Sequence, residues 1–387
     1  MRPMMMASRV SLNLPLPRPI LNPRNSNPWA MCTIRVFSRC GNPCGTLIDE
    51  LGAVHIAMGR VIYFSRISRS DREAYAVKGF AGVCSLRCQR DLAQRDHQMA
   101  IARQIRWMWK GMEVTLGMDV AGDGPTVVLL PALSSISTRE EMRPLLDRLT
   151  PSFRVVTADW PGFGDQARPR IDWTPQALFA FLDWFLSEMV GPPYSIVAAG
   201  HAAGYALQHA VSKPGTIERL ALIAPTWRGP FPTMMGGQRP WFARVRAAVD
   251  HRGIGRLLYR LNVSRFVVAK MAKEHVYSDP DWLTGDRLEA KLTVTRAPGA
   301  RHASVRFVTG DLDLVADRAA FLELAQQAKT PILAVYGDQT PAKSRAEMEA
   351  LSVLPNVSVN RLPAGKLSIH EEFPDAVAHV ILPFLSE

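Results

Sequence analysis

The chain has 387 residues, 47% of them hydrophobic, enough for one large core with an extension or for two domains. Its net charge of +11 falls in residues 1–112, which hold 17 Lys/Arg against 6 Asp/Glu, while residues 113–387 hold 29 of each. The later part therefore shows no bulk polyanion-binding charge, so no nucleic-acid partner is expected, and without 18 uninterrupted apolar residues no transmembrane segment is expected either.

Residues 1–98 read as a basic extension. Residues 1–48 contain Arg, Ser, Pro and Asn, with Asp49 and Glu50 the first acidic residues. That is the composition of an organelle transit segment. A misplaced start is the other reading, because Met99, Met108 or Met112 would begin a chain that keeps all the organised pattern. All five cysteines, Cys32, Cys40, Cys44, Cys84 and Cys88, lie here. The Cys40-x3-Cys44 and Cys84-x3-Cys88 spacings lack a zinc-ribbon context, and no metal or cofactor is expected. A cysteine-free remainder suits a reducing compartment. The expected location is cytoplasmic, or a plastid or mitochondrion if residues 1–98 are a transit segment.

From residue 113 the pattern sharpens. "MEVTLGMDV" alternates, and "TVVLLPAL" is a continuous apolar run, as in a strand covered on both faces. "TREEMRPLLDRL" has helical periodicity, with Thr138 a cap and Glu141 three residues on, the spacing of a capping box. "FRVVTADWPGFGD" is a buried strand ending in a turn, and "TPQALFAFLDWFLSEMV" is an amphipathic helix with Pro175 in its first turn. The strand "YSIVAAG" leads through a small-residue turn into the helix "YALQHAV". "IERLALIAP" and "PILAVYGD" are further buried strands, and "FPDAVAHVILPFLS" is the last helix. Alternating strands and helices predict an α/β fold with a mostly parallel, doubly wound sheet. About 105 residues of helical, Arg- and aromatic-rich sequence separate Thr226 from Thr330. They predict a helical cap at 226–330, inserted into a domain at 99–387, since a structureless loop of that length is implausible. The cap's arginines (Arg244, Arg246, Arg252, Arg256, Arg260) read as a solvated face.

"AGHAAG" after a buried strand, "ADWPGFGD" at the preceding strand end and "LPAGKLSIHEEFPDAV" near the C-terminus together resemble the α/β-hydrolase superfamily. The resemblance implies a nucleophile in the middle of G-x-Nu-x-G, on a strained turn. That position falls on Ala202, whose methyl group cannot attack a carbonyl. The acid is implied at Thr340 in Gly337-Asp338-Gln339-Thr340, with Asp338 an alternative whose plainer role is turn formation. The base is implied at His370. The oxyanion hole would use the amides of Leu133 and Ala203. Ser134 and Ser135 lie on the same loop as substitute nucleophiles or turn caps. Asp159 reads as structural, with Trp160 a pocket wall.

Three functions compete on this sequence. The first is a protein with a degenerate triad that binds a small apolar or acyl-like ligand non-covalently. The second is a hydrolase or serine-independent enzyme with His370 as general base. The third is a partner-binding scaffold. The oligomeric state is not encoded in any of these features.

Overall fold

The structure is a computed structural model. It describes residues 100–387 and, before them, the backbone of two antiparallel pairings, Ser8–Pro15 with Trp29–Val36 and Leu47–Ile48 with Val54–His55. The expectations for the five cysteines and for a transit segment lie outside the described side chains.

Eight strands form the sheet of the C-terminal unit: β1 (Ile101–Trp109), β2 (Met112–Ala121), β3 (Thr126–Leu130), β4 (Arg154–Ala158), β5 (Tyr194–Ala199), β6 (Ile217–Ile223), β7 (Ile332–Gly337) and β8 (Val357–Leu362). Their spatial order is β1-β2-β4-β3-β5-β6-β7-β8. The pairs β1·β2 and β2·β4 are antiparallel and the rest are parallel. This is the mostly parallel sheet that the sequence predicts. Strand β1 was not anticipated, because only Ile105 and Trp107 face the core and the other residues of this edge strand are exposed or half-exposed. A two-residue turn joins it to β2, with Lys110 and Gly111 both at positive φ (47° and 80°), the twist that tight hairpins favour.

Helix α1 (Arg143–Leu149) follows a 3-10 turn at Arg139–Met142. Helix α2 (Pro175–Trp184) starts where the Thr174 side chain accepts from the Ala177 amide, and it buries Ala177, Leu178, Phe181 and Leu182. Helix α3 (Ala202–Ser212) follows β5. Seven helices separate β6 from β7: α4 (Pro230–Met235), α5 (Trp241–Asp250), α6 (Ile254–Asn262), α7 (Arg265–Met271), α8 (Gly285–Thr295), α9 (Ala300–Val308) and α10 (Arg318–Gln327). After β7 come α11 (Ala342–Glu349), α12 (Ile369–Glu372) and α13 (Pro374–Ser386). Two apolar cores sandwich the sheet. One gathers Trp160, Phe181, Tyr205 and Phe321, and the other gathers Leu145, Leu149, Val377 and Ile381. No helix among the described residues is long and apolar enough to cross a membrane.

Candidate active site

Strands β3 and β5 are parallel neighbours, although β4 and its flanking helices separate them in sequence. The loops leaving their C-terminal ends therefore meet where the strand order reverses, the place where open α/β sheets bind ligands.

The turn after β5 is made by Gly200, at φ +54°. Its amide donates to the Ile223 carbonyl at 2.9 Å, and its own carbonyl accepts from the amides of Ala203 (3.2 Å) and Thr226 (3.0 Å). A side chain placed on Gly200 would meet the methyl of Ala132, on the loop after β3, at 3.2 Å. Gly200 is thus the apex residue that looks toward the neighbouring loop. Ala202, expected at the apex, is instead the first residue of α3 and fully buried in the core. Centred on Gly200 the turn reads Ala198-Ala199-Gly200-His201-Ala202, with alanines in place of the two flanking glycines that make Ala202 the middle by sequence pattern. The backbone decides, because the left-handed residue at the end of β5 is the glycine. The shift also corrects Ala203 as an oxyanion donor, since its N–H already closes the turn onto Gly200. The amides of His201 and Leu133 carry no acceptor among the described residues, and neither do those of Ala202, Ser134 and Ser135 beside them.

The loop after β3 is held from beneath by Trp160, whose indole N–H donates to the Pro131 carbonyl at 2.8 Å. Trp160 is buried among Phe181 and Tyr205 and acts as a strut for this loop. Leu133 is buried in the same core. The Ser134 hydroxyl accepts from the Ile136 amide at 3.4 Å, a turn-capping contact, and Ser135 is half-buried beside it. Asp159 is buried and binds Arg139 twice, at 2.7 Å to its amide and at 2.6 Å to its guanidinium, which fits a structural role.

His370 lies on α12, buried, with neither ring nitrogen hydrogen-bonded. Thr340 is also buried, with its hydroxyl unpaired. Asp338 does not serve His370. Its carboxylate is exposed and bound to Arg361 of β8, which corrects its reading as an alternative acid. The nearest carboxylate to the imidazole belongs to Glu141, 3.7 Å from Nε2, an ion-pair distance too long for a hydrogen bond.

Sequence reasoning treated Glu141 only as a capping partner of Thr138. In the structure the Thr138 side chain caps the Glu140 amide, and the Glu141 carboxylate turns inward. There it accepts from the Ala132 amide at 2.6 Å and lies 3.9 Å from the Lys291 ammonium of α8. Lys291 also pairs with Glu371 at 2.9 Å, and Glu371 accepts from the Tyr277 hydroxyl at 2.8 Å. Burial pushes the Glu141 carboxyl up, but His370 and the Lys291 charge outweigh it and hold it below its ordinary value. Neighbouring Glu372 accepts from the amides of Ser278 and Asp279, at 2.8 and 2.6 Å. Residues from the stretch between β6 and β7 are thus tied to the His370 loop. Glu141, His370 and Glu371 bring three ligand atoms within 4.8 Å of one another, but Lys291 already supplies the cation that the two carboxylates require.

A second buried pair lies behind the apex. His201 Nε2 is 3.3 Å from Asp313 Oδ1, and the Tyr205 hydroxyl donates to the Leu312 carbonyl at 2.8 Å. Burial lowers His201 to about 4 and raises Asp313 to about 8, so both are neutral near pH 7.

Residues 127–380 match the alpha/beta hydrolase family, and the chain belongs to that family. Solved structures agree in fold. A serine hydrolase involved in carbazole degradation (the CarC enzyme) is 18% identical with a TM-score of 0.57, covering 74% of this chain and 99% of its own. A thermophilic esterase from Thermogutta terrifontis is 16% identical with a TM-score of 0.58, over 73% and 98%. The haloalkane dehalogenase DatA from Agrobacterium tumefaciens C58 is 19% identical with a TM-score of 0.56, over 74% and 96%. No curated protein sequence matches the chain.

Proposed function

We infer that this protein is a hydrolase-fold member without covalent catalysis, which binds a small acyl- or carbonyl-bearing ligand non-covalently. The observation that carries the reading is Gly200, a residue with no side chain where the family's turn presents its nucleophile. Loss of the nucleophile alone removes nearly the whole rate of such a triad. Thr340, which has no carboxylate, at the acid position supports the same reading. Binding is supported by polar groups at this sheet edge that lack partners: the amides of His201 and Leu133, the Thr340 hydroxyl and the His370 ring. Buried polar groups are ordinarily paired, and a ligand carbonyl or hydroxyl would pair them. The helices between β6 and β7 would then act as a cap held by Lys291.

The test is a panel of short esters and lactones offered to the wild type, Ala202→Ser, Gly200→Ser and Gly200→Ser/Ala132→Gly. The second change in the double variant clears the 3.2 Å contact that a new side chain would make. Wild type and Ala202→Ser should be inactive, and measurable turnover should first arise in the double variant. Wild-type turnover abolished by His370→Ala would overturn the reading in favour of a serine-independent enzyme, for which the imidazole–carboxylate pair of His370 and Glu141 is the supporting feature.

A further inference from the structure

Helix α6 turns an apolar stripe to solvent. Ile254, Leu257 and Leu261 are 61%, 61% and 59% exposed, and Leu258 stands between them at 37%. Their i, i+3, i+4, i+7 spacing puts all four on one face. Phe266 of the following helix α7 is also exposed, at 76%. Isolated apolar side chains are normal on a protein surface, but a contiguous stripe marks a contact surface. The opposite face of α6 is fixed to the protein by buried Gly255 and Tyr259. Gly255 lies against the Val249 carbonyl so closely that no side chain would fit there.

Charge selects what covers the stripe. Residues 251–273 contain six Lys/Arg and no Asp or Glu. Arg252, Arg256 and Arg260 have no carboxylate within ion-pair distance among the described residues. On the helical wheel they lie off the apolar stripe. Arg256 and Arg260 border a cleft of about 730 Å³ that Arg265, Arg296 and Arg301 also line. Burial and the nearby Arg256 and Arg170 lower Arg301, against the opposing pull of Asp250. Arg265 and Arg296 pair with Glu289 and Lys270 pairs with Glu274, which leaves Arg252, Arg256, Arg260 and Lys273 as the cations of this stretch without a carboxylate partner among the described residues. A second copy would bring these unpaired cations face to face.

We propose that α6 and α7 dock on an anionic phospholipid bilayer, with the apolar stripe among the acyl chains and the arginines at the phosphate headgroups. A helix with a well-separated apolar face, basic residues on its polar side and no acidic ones is built to lie in a membrane interface. This surface is separate from the Gly200–His370 region and stands whether or not that region is catalytic.

The experiment is sedimentation of the full-length protein with vesicles of phosphatidylcholine alone or with about 30 mol% phosphatidylserine, in low salt and in roughly 0.5 M NaCl. Phosphatidylserine should raise the bound fraction at least tenfold, and salt should reverse most of the gain. Leu257→Asp/Leu261→Asp and, separately, Arg256→Glu/Arg260→Glu should each lower binding about tenfold or more with an unchanged thermal melt. These side chains are exposed, so folding is preserved. Unchanged binding by Leu257→Asp/Leu261→Asp would assign membrane attraction to the basic N-terminal segment and overturn the proposal. Absence of vesicle binding would overturn it too. So would a concentration-dependent dimer that this variant dissolves, which would make the stripe a protein interface.

Discussion

Lys291→Met tests whether the buried charge network holds the stretch between β6 and β7 onto the sheet. The Lys291 ammonium is 2.9 Å from Glu371 and 3.9 Å from Glu141, and all three side chains are largely buried. At an effective dielectric constant near 20, those separations give attractions of about 6 and about 4 kcal/mol. Removing water from the ions offsets much of that sum. Methionine keeps the length of the side chain and removes its charge, leaving two buried carboxylates side by side. Breaking a buried pair in this way costs about 3–5 kcal/mol. For a domain of this size that is a fall in Tm of roughly 6–15 °C. The assay is denaturant unfolding of wild type, Lys291→Met, Glu371→Gln and the double variant, which isolates the coupling. The penalty should also shrink in acid. Glu141 is held below its ordinary value in the native protein, so its contribution is present above the unfolded value of 4.5 and lost as pH falls through the folded one. Without Lys291 its carboxyl takes up a proton more readily, and the gap to wild type closes. A loss under about 1 kcal/mol at pH 7, or one that does not depend on pH, would refute the network as a structural tie.

Asp313, raised by burial to about 8 from an ordinary 3.8, keeps a proton in the native state that the unfolded chain has shed. Its contribution is therefore full below pH 3.8 and declines as pH rises toward 8, by at most about 1.4 kcal/mol per pH unit. Asp313→Asn should flatten that slope in unfolding curves collected between pH 5 and 8, and an unaltered slope would contradict it. Thr340→Val should leave stability unchanged or raise it by up to about 1 kcal/mol, because the buried hydroxyl it removes has no partner. Trp160→Phe should cost about 1–3 kcal/mol in thermal or denaturant unfolding by stranding the Pro131 carbonyl under the loop after β3. A cost near zero would mean that the loop does not depend on this bond.

Much of the fold was legible in the sequence. Strands covered on both faces read as apolar runs such as "TVVLL" and "YSIVAA", and every residue of the second is buried. Pro175 in its first turn marked the start of α2. Strand β1 was obscured because an edge strand buries few of its side chains. The candidate site was legible only in outline. His370 stood out by its place in the chain, and the structure buries it beside Glu141. Glu141 was mistaken for a helix-cap residue because the inward turn of a carboxylate depends on what lies opposite. Lys291 and Tyr277 gave no signal, since their partners are 80 and 94 residues away in sequence.

The sequence by itself determined the order of strands and helices, the doubly wound sheet and the lack of a hydroxyl or thiol anywhere in Gly200–Gly204. These follow from side-chain chemistry and local period, which are written along the chain. Only the tertiary structure decided which residue of that turn has the left-handed backbone, which carboxylate stands beside the imidazole, and that the Glu141 and Glu371 segments are tied to a lysine from a distant helix. Those depend on one backbone dihedral and on long-range juxtaposition, and neither leaves a periodic trace in the sequence.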